Sequence, residues 1–243
     1  MDRSEKEIRL RDLGAEKYDS DYFLKGAKNV DIEDCSIISA LDLHENENFL
    51  DVGCGTGRLT SRLSNYVKDC YGIDLSPKSI EVFKNRNCKN VHLSVCDIVS
   101  QDIPFHMKYD KILSMQMIQH IEPSFHEVVL SKLFDSLKEG GVFVSELFNY
   151  DGYNRRKKFI RKNGYEKIEI RGDFYEYHFS PDEYCSLLEK IGFKIVSCYG
   201  ICNIPRWIVR MMPERINKYF EGEIQKHRMS KRIGYYFIAI CTK

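Results

Sequence analysis

From Asn48 onward the chain alternates short apolar runs with segments of helical spacing, and this rhythm constrains its fold more than any other feature. Asn48–Gly53, Cys70–Asp74, Val91–Val95, Tyr109–Met115 and Val142–Leu147 are the apolar runs, each of strand length. Between them, Gly57–Tyr66 places Leu59 and Leu63 on one helical face, and Phe125–Leu137 reads as a further helix. Ser76-Pro77 opens a helix over Lys78–Arg86, with Ser76 as cap and Pro77 at its first position. Repeating units of about thirty residues predict a doubly wound, mostly parallel α/β sheet of seven strands. Such a sheet binds its ligand beyond the carboxyl ends of its strands, where the strand order reverses.

Two stretches interrupt the rhythm, at about 149–179 and 201–233. Both are basic and aromatic, and both read as irregular lid insertions, the second with a helix around Trp207–Met212. Between and after them, Ser180–Gly192 reads as a capped helix, Phe193–Tyr199 as the sixth strand and Tyr235–Cys241 as the closing strand. Ahead of the sheet, Ile32, Cys35, Ile38 and Leu41 mark a helix over Asp31–Leu43. Residues 1–47 are therefore expected to form a helical cap on a domain spanning 48–243.

Composition bounds the class. A chain of 243 residues, 43% hydrophobic with 15 Gly and 6 Pro, can bury a core and is not a disordered protein. No apolar run approaches the roughly 20 residues of a membrane span. Met1–Leu13 has no signal-peptide core. Nine cysteines include no CxxC pair, which argues against a zinc ribbon; Cys198 and Cys202 have the spacing of half a zinc site only. Free thiols in a reducing cytoplasm are the expectation. The net charge of +1 conceals a split: residues 1–148 carry a net −7 and residues 149–243 a net +8.

The strongest motif is Phe49-Leu-Asp-Val-Gly-Cys-Gly-Thr-Gly-Arg58. Gly53, Gly55 and Gly57 follow a strand and open a helix, a turn that glycine tolerates and that lets a ligand approach the backbone. It lacks the GK[ST] of a P-loop, and Arg58 stands where a dinucleotide fingerprint has its third glycine. Asp74 ends the second strand, with Leu75 beside it, and Asp97-Ile98 follows the third. Taken singly these residues have plainer explanations, Asp74 as a helix cap and Asp97 as a loop acid. Together they fall after successive parallel strands, where one ligand touches all three.

On these residues the chain resembles the class I S-adenosylmethionine-dependent methyltransferases, over roughly 45–200 and the closing strand. The resemblance implies S-adenosyl-L-methionine as cofactor, with Asp51, Gly53, Gly55 and Gly57 as the first motif. It also implies Asp74 on the ribose hydroxyls, Asp97 facing the adenine amino group and Ile98 against the ring. Lys138-Glu-Gly-Gly-Val-Phe-Val144 and Ser180-Pro-Asp-Glu match its later elements. Met115, Gln116 and Met117 are cofactor contacts by position. His120, just past the fourth strand, is the candidate general base, since imidazole titrates near neutral pH; plain packing of the loop is the alternative. This loop is similar to one in ubiquinone-pathway O-methyltransferases, where two acids and the histidine are associated with a divalent metal. Gln116 and Gln119 replace both acids, so no metal is expected.

The expected reaction is methyl transfer to oxygen or nitrogen of a small-molecule acceptor. No [DN]PP[YF] motif and no Pro-Cys pair point to a nucleobase. The run Tyr153–Lys162, with six positive charges, and the basic second insert suit a lid over an acidic or phosphorylated acceptor. RNA is the alternative partner. A membrane-surface patch around Ile204–Met212 and a non-catalytic cofactor-binding module are further readings. Tyr18 and Tyr22 are candidates to close over the cofactor.

Overall fold

The computed structural model describes residues 2–20, 27–152 and 166–243. Its strands are β1 (Asn48–Val52), β2 (Asp69–Asp74), β3 (Val91–Val95), β4 (Tyr109–Met115), β5 (Leu137–Phe148), β6 (Ile168–Arg171), β7 (Phe174–Tyr177), β8 (Lys194–Ile201) and β9 (Tyr236–Thr242). Seven of them form one sheet in the order β3-β2-β1-β4-β5-β9-β8. All neighbours are parallel except β9, which runs antiparallel to both β5 and β8. This is the doubly wound sheet that the alternation predicts.

The central strands are buried on both faces, because successive side chains point to opposite sides. Leu50, Ile112, Phe143 and Phe237 join one core cluster with Tyr184, Leu188 and Phe193. Their chain neighbours Phe49, Leu113, Val144 and Ile238 join the other, with Leu63 and Ile201. From β1 the chain builds outward through β2 and β3, then crosses back to place β4 on the other side of β1. That reversal opens a crevice at the carboxyl ends of β1 and β4.

The helices are α1 (Arg3–Gly14), α2 (Ala27–Leu41), α3 (Thr60–Leu63), α4 (Pro77–Lys84), α5 (Pro123–Ser136), α6 (Pro181–Ile191), α7 (Arg206–Met211), α8 (Glu214–Gln225) and α9 (Ser230–Ile233). The Ser76 hydroxyl caps α4 by accepting from Ser79 N–H at 3.0 Å. Helix α3 starts at Thr60 rather than Gly57, because Gly53, Gly55 and Gly57 all hold positive φ and cannot continue a right-handed helix.

Both inserts carry more regular structure than the sequence reading assigns them. Within the first, β6 and β7 form an antiparallel hairpin closed by Gly172-Asp173, with Gly172 at φ 61°. Its alternation is present but inverted: Glu169 and Glu176 are buried while Ile168 and Ile170 are exposed. The second insert holds three helices, α7 to α9. Helix α8 likewise buries polar residues, Asn217 and Glu221. In both elements the apolar period faces solvent, so the pattern does not mark the face that docks. Tyr22 and the basic run Tyr153–Lys162 lie outside the described residues.

Candidate active site

A cavity of about 240 Å³ opens at the crevice. Asp51, Gly53, Gly55, Asp74, Leu75, Asp97, Ile98, Met115, Gln116, Met117 and His120 all line it. Residues from four strand ends thus meet in one pocket. Gly57 stands behind the wall. A Cβ there would lie 2.2 Å from the Phe83 ring, so its φ of +75° and its missing side chain let the turn pack on α4. A Cβ on Gly53 would meet Met117 at 2.6 Å, whereas Gly55 faces open space.

The acids differ in their surroundings. Asp74 accepts from Gly55 N–H at 2.8 Å on one oxygen and from Ser76 N–H at 2.8 Å on the other. Burial nonetheless raises its carboxyl above the usual range. Each oxygen keeps a lone pair for a further donor. Asp51 is 4% exposed and burial pushes it up to about 7, against the Thr60 hydroxyl that donates to its Oδ2. Its Oδ1 is buried and no donor among the described residues reaches it. A buried acceptor without a partner calls for an explanation, and a cationic group in the cavity supplies one. Asp97 accepts from Ser100 and from Ser4, both at 2.9 Å, and from Val99 N–H at 3.1 Å.

His120 closes a 3-10 turn, Ile118–His120, that follows β4. Its Nδ1 lies 2.8 Å from the Tyr175 carbonyl, and Phe174 stands edge-on at 5.7 Å. A carbonyl only accepts, so Nδ1 carries the hydrogen and the neutral ring has its lone pair on Nε2. The two glutamines of this loop act as donors to acids brought from elsewhere. Gln116 Nε2 donates to Glu33 Oε1 at 2.6 Å, with Gln116 in the left-handed region at φ 51°. Gln119 Nε2 donates to Glu176 Oε1 at 3.0 Å, tying the loop to the hairpin. Glu169, Glu176 and His178 bring ligand atoms within 4.8 Å of one another, and Arg171 pairs with Glu169. Arg171 supplies countercharge to Glu169, and His178 Nε2 lies 3.4 Å from Glu169 and 3.7 Å from Glu176.

The main part of the site that the sequence reading missed is α1. Arg3, Ser4, Glu7 and Arg11 line the cavity with Tyr18, which was foreseen. Asp12 accepts from the Ser76 hydroxyl and from Lys78 N–H, docking α1 on the start of α4. Asp19 accepts from Thr56 Oγ1 at 2.7 Å and pairs with Arg86. On the other side Arg9 pairs with Asp173 at 3.3 Å and Arg3 lies over the Tyr175 ring at 5.4 Å. Asp2 and Glu5 form a capping box, and Asp-x-x-Glu is the one sequence signal that marks this helix. Behind the glycine turn, Arg58 holds Asp34 of α2 with two bonds of 2.8 Å.

A parallel sheet with an antiparallel β9, a glycine turn after β1 and acids after β2 and β3 define the Rossmann-like architecture of class I S-adenosylmethionine-dependent methyltransferases. A solved DhpI–SAM–HEP complex superposes with a TM-score of 0.67 at 16% identity, covering 98% of this chain and 97% of that one. A family model described as a methyltransferase domain matches residues 33–198, and the chain belongs to that family. S-adenosyl-L-methionine is the methyl donor of the family. Among curated proteins, the U6 snRNA methylphosphate capping enzyme Amus of Drosophila melanogaster is 28% identical over 188 residues, 66% of this chain and 59% of that protein. The malonyl-[acyl-carrier protein] O-methyltransferase of Acetivibrio thermocellus is 30% identical over 146 residues, 57% of this chain and 49% of that protein. The matches thus span about half to three-fifths of these relatives' lengths.

Proposed function

We propose that this protein transfers the methyl group of S-adenosyl-L-methionine to an oxygen or nitrogen nucleophile of a small molecule. The observation that carries the reading is the single cavity joining the glycine turn, Asp51, Asp74, Asp97 and His120. The bound cofactor supplies an electrophilic methyl carbon on a sulfonium, so the protein's task is alignment. Asp74, held by two backbone N–H groups, receives the ribose hydroxyls on its remaining lone pairs. Asp97 receives the adenine amino group, with Ile98 and Leu75 against the ring and sugar. Asp51 Oδ1 receives the cofactor ammonium, which keeps this buried carboxylate ionised. Gly53 and Gly55 admit the methionyl chain close to the backbone, and Met115, Gln116 and Met117 wall the methyl end. His120, fixed through Nδ1 by Tyr175, takes the acceptor's proton on Nε2. Arg3 and Arg11, which line the cavity, favour an acidic or phosphorylated acceptor. Nine free cysteines suit a reducing compartment, the cytoplasm.

RNA is the second reading, favoured by the likeness to a U6 snRNA capping enzyme. A cell extract given labelled cofactor, before and after ribonuclease, separates the two. Label in a small, nuclease-resistant product supports the small-molecule acceptor. Loss of label with ribonuclease overturns it in favour of RNA, and binding without any transfer reduces the protein to a cofactor-binding module. In calorimetry, Asp74→Ala, checked for folding by its melting curve, should lose cofactor binding; unchanged affinity would sink the cofactor assignment.

A further inference from the structure

Helices α7 and α8 present several large apolar side chains to solvent, while Val209 of α7 is buried. Trp207 and Met211, one turn apart on α7, are 66% and 72% exposed. On α8, Ile216, Tyr219 and Phe220 share one face at 45%, 65% and 48% exposure, and Met229 in the following turn is 69% exposed. The opposite face of α8 is the one that docks, and it docks through polar groups. Glu221 accepts from Asn203 N–H at 2.9 and 3.0 Å and from Asn203 Nδ2 at 2.8 Å, while Gln225 Nε2 donates to Ser36 at 3.2 Å. A globular helix ordinarily turns the other way, apolar side inward. Here a buried carboxylate–amide network fixes the outward direction of the apolar face. Exposed apolar groups gathered in one segment mark an interaction surface.

The charge around these groups selects the partner. From Trp207 to Arg232 the chain carries seven basic and three acidic residues, and one of the acids is the buried Glu221. Glu214 and Glu223 pair with Lys218 and Lys226 at 2.6 Å, so they offer no net negative field. Arg210, Arg215 and Arg228 are exposed and adjoin Met211, Ile216 and Met229 in the chain, and Arg232 is exposed on α9. Aromatic and methionine side chains that enter an acyl boundary, bordered by arginines that meet phosphate, are the chemistry of a helix lying in an anionic lipid interface. No helix among the described residues is long and apolar enough to cross a membrane, so this is adhesion rather than insertion through the bilayer.

We propose that α7 and α8 form a docking surface for an anionic phospholipid membrane. The surface is separate from the cofactor cleft, and the inference does not rest on the methyltransferase reading. Trp207 is the chain's single tryptophan, so its fluorescence reports on the surface directly. Full-length protein is titrated with phosphatidylcholine vesicles, with and without phosphatidylglycerol, and checked by co-sedimentation. Trp207 emission should move to shorter wavelength and protein should pellet with the anionic vesicles only, and high salt should weaken both. Arg210→Glu with Arg215→Glu should weaken vesicle affinity by roughly thirtyfold or more. Met211→Glu with Tyr219→Glu should abolish the spectral shift, while cofactor affinity and melting temperature stay near those of the parent protein. No shift with anionic vesicles, or an equal response to neutral ones, overturns the proposal. A blue shift that grows with protein concentration and is unaffected by vesicles overturns it in favour of a second copy of the chain. Pelleting that survives both double substitutions assigns the adhesion to another surface and overturns it too.

Discussion

Asp51 lies at the junction of β1 and the glycine turn, buried, with one oxygen that no donor among the described residues reaches. Burial raises its folded-state pKa to about 7, against about 3.9 in an unfolded chain. The folded state therefore binds more protons than the unfolded one between these values. Asp51's own contribution to stability is full below about pH 4 and is lost as pH rises to about 7, by at most about 4 kcal/mol for a shift of three units. Asp51→Asn removes the buried charge. Without cofactor the variant should be more stable than the parent at pH 8 and nearly equal to it at pH 4, as urea unfolding across this range would show. Under the proposed function, in which Asp51 receives the cofactor ammonium, the same variant should bind cofactor more weakly. His120 is read out differently. His120→Ala should lower turnover by about a hundredfold while calorimetry finds cofactor affinity nearly unchanged; full activity would remove its role as base.

Helix α1 crosses the cleft on polar fastenings. Ser4 meets Asp97, Asp12 caps the start of α4, and Arg9 and Arg3 reach the β6–β7 hairpin. Of its three large apolar residues Leu13 is 78% exposed and Ile8 and Leu10 are only partly buried, so much of what holds the helix down is polar. Losing one polar fastening should therefore loosen it without unfolding the sheet. Asp12→Ala removes the acceptor shared by Ser76 and Lys78 and should cost about 1 kcal/mol. Amide hydrogen exchange should speed up over Arg3–Gly14 and at the start of α4, with β1, β4 and β5 unchanged. Uniformly faster exchange across the sheet would show that α1 is part of the core instead. The hairpin and α8 follow a related logic: each docks by buried acids, Glu176 on Gln119 and Glu221 on Asn203.

For the molecule as a whole, cofactor binding and folding are linked because the cavity walls come from α1 and four strand ends. A ligand at about a hundred times its Kd adds about 2.7 kcal/mol. For a chain of this size that is a rise in melting temperature of about 5–10 °C. S-adenosyl-L-methionine should produce such a shift, and Asp74→Ala should remove it. The charge split also acquires a location. The acidic portion builds the cleft with Asp51, Asp74 and Asp97, and part of the basic portion forms the arginine-bordered surface of α7 and α8.

The sheet and most of the cleft were legible in the chain for a local reason. Strand periodicity, Gly53-Cys-Gly-Thr-Gly57, Ser76-Pro77 and the acids after β2 and β3 are each decided by a few consecutive residues. Their backbone options are narrow, and parallel pairing brings the strand ends together automatically. Such signals failed for the hairpin, α8 and α1, whose inner faces are polar: Glu169, Glu176, Glu221 and Ser4 are buried or engaged by partners distant in sequence. No local period announces that a glutamate will find an asparagine or a glutamine. Nor could the sequence say that Gln116 and Gln119 would turn their amides to Glu33 and Glu176, or that Asp51 would keep one oxygen without a donor. Local propensity and hydrophobic period thus determined the sheet and the motif positions. Long-range hydrogen bonding between polar groups, which only tertiary proximity sets, decided what covers the cleft and which face of the second insert meets solvent.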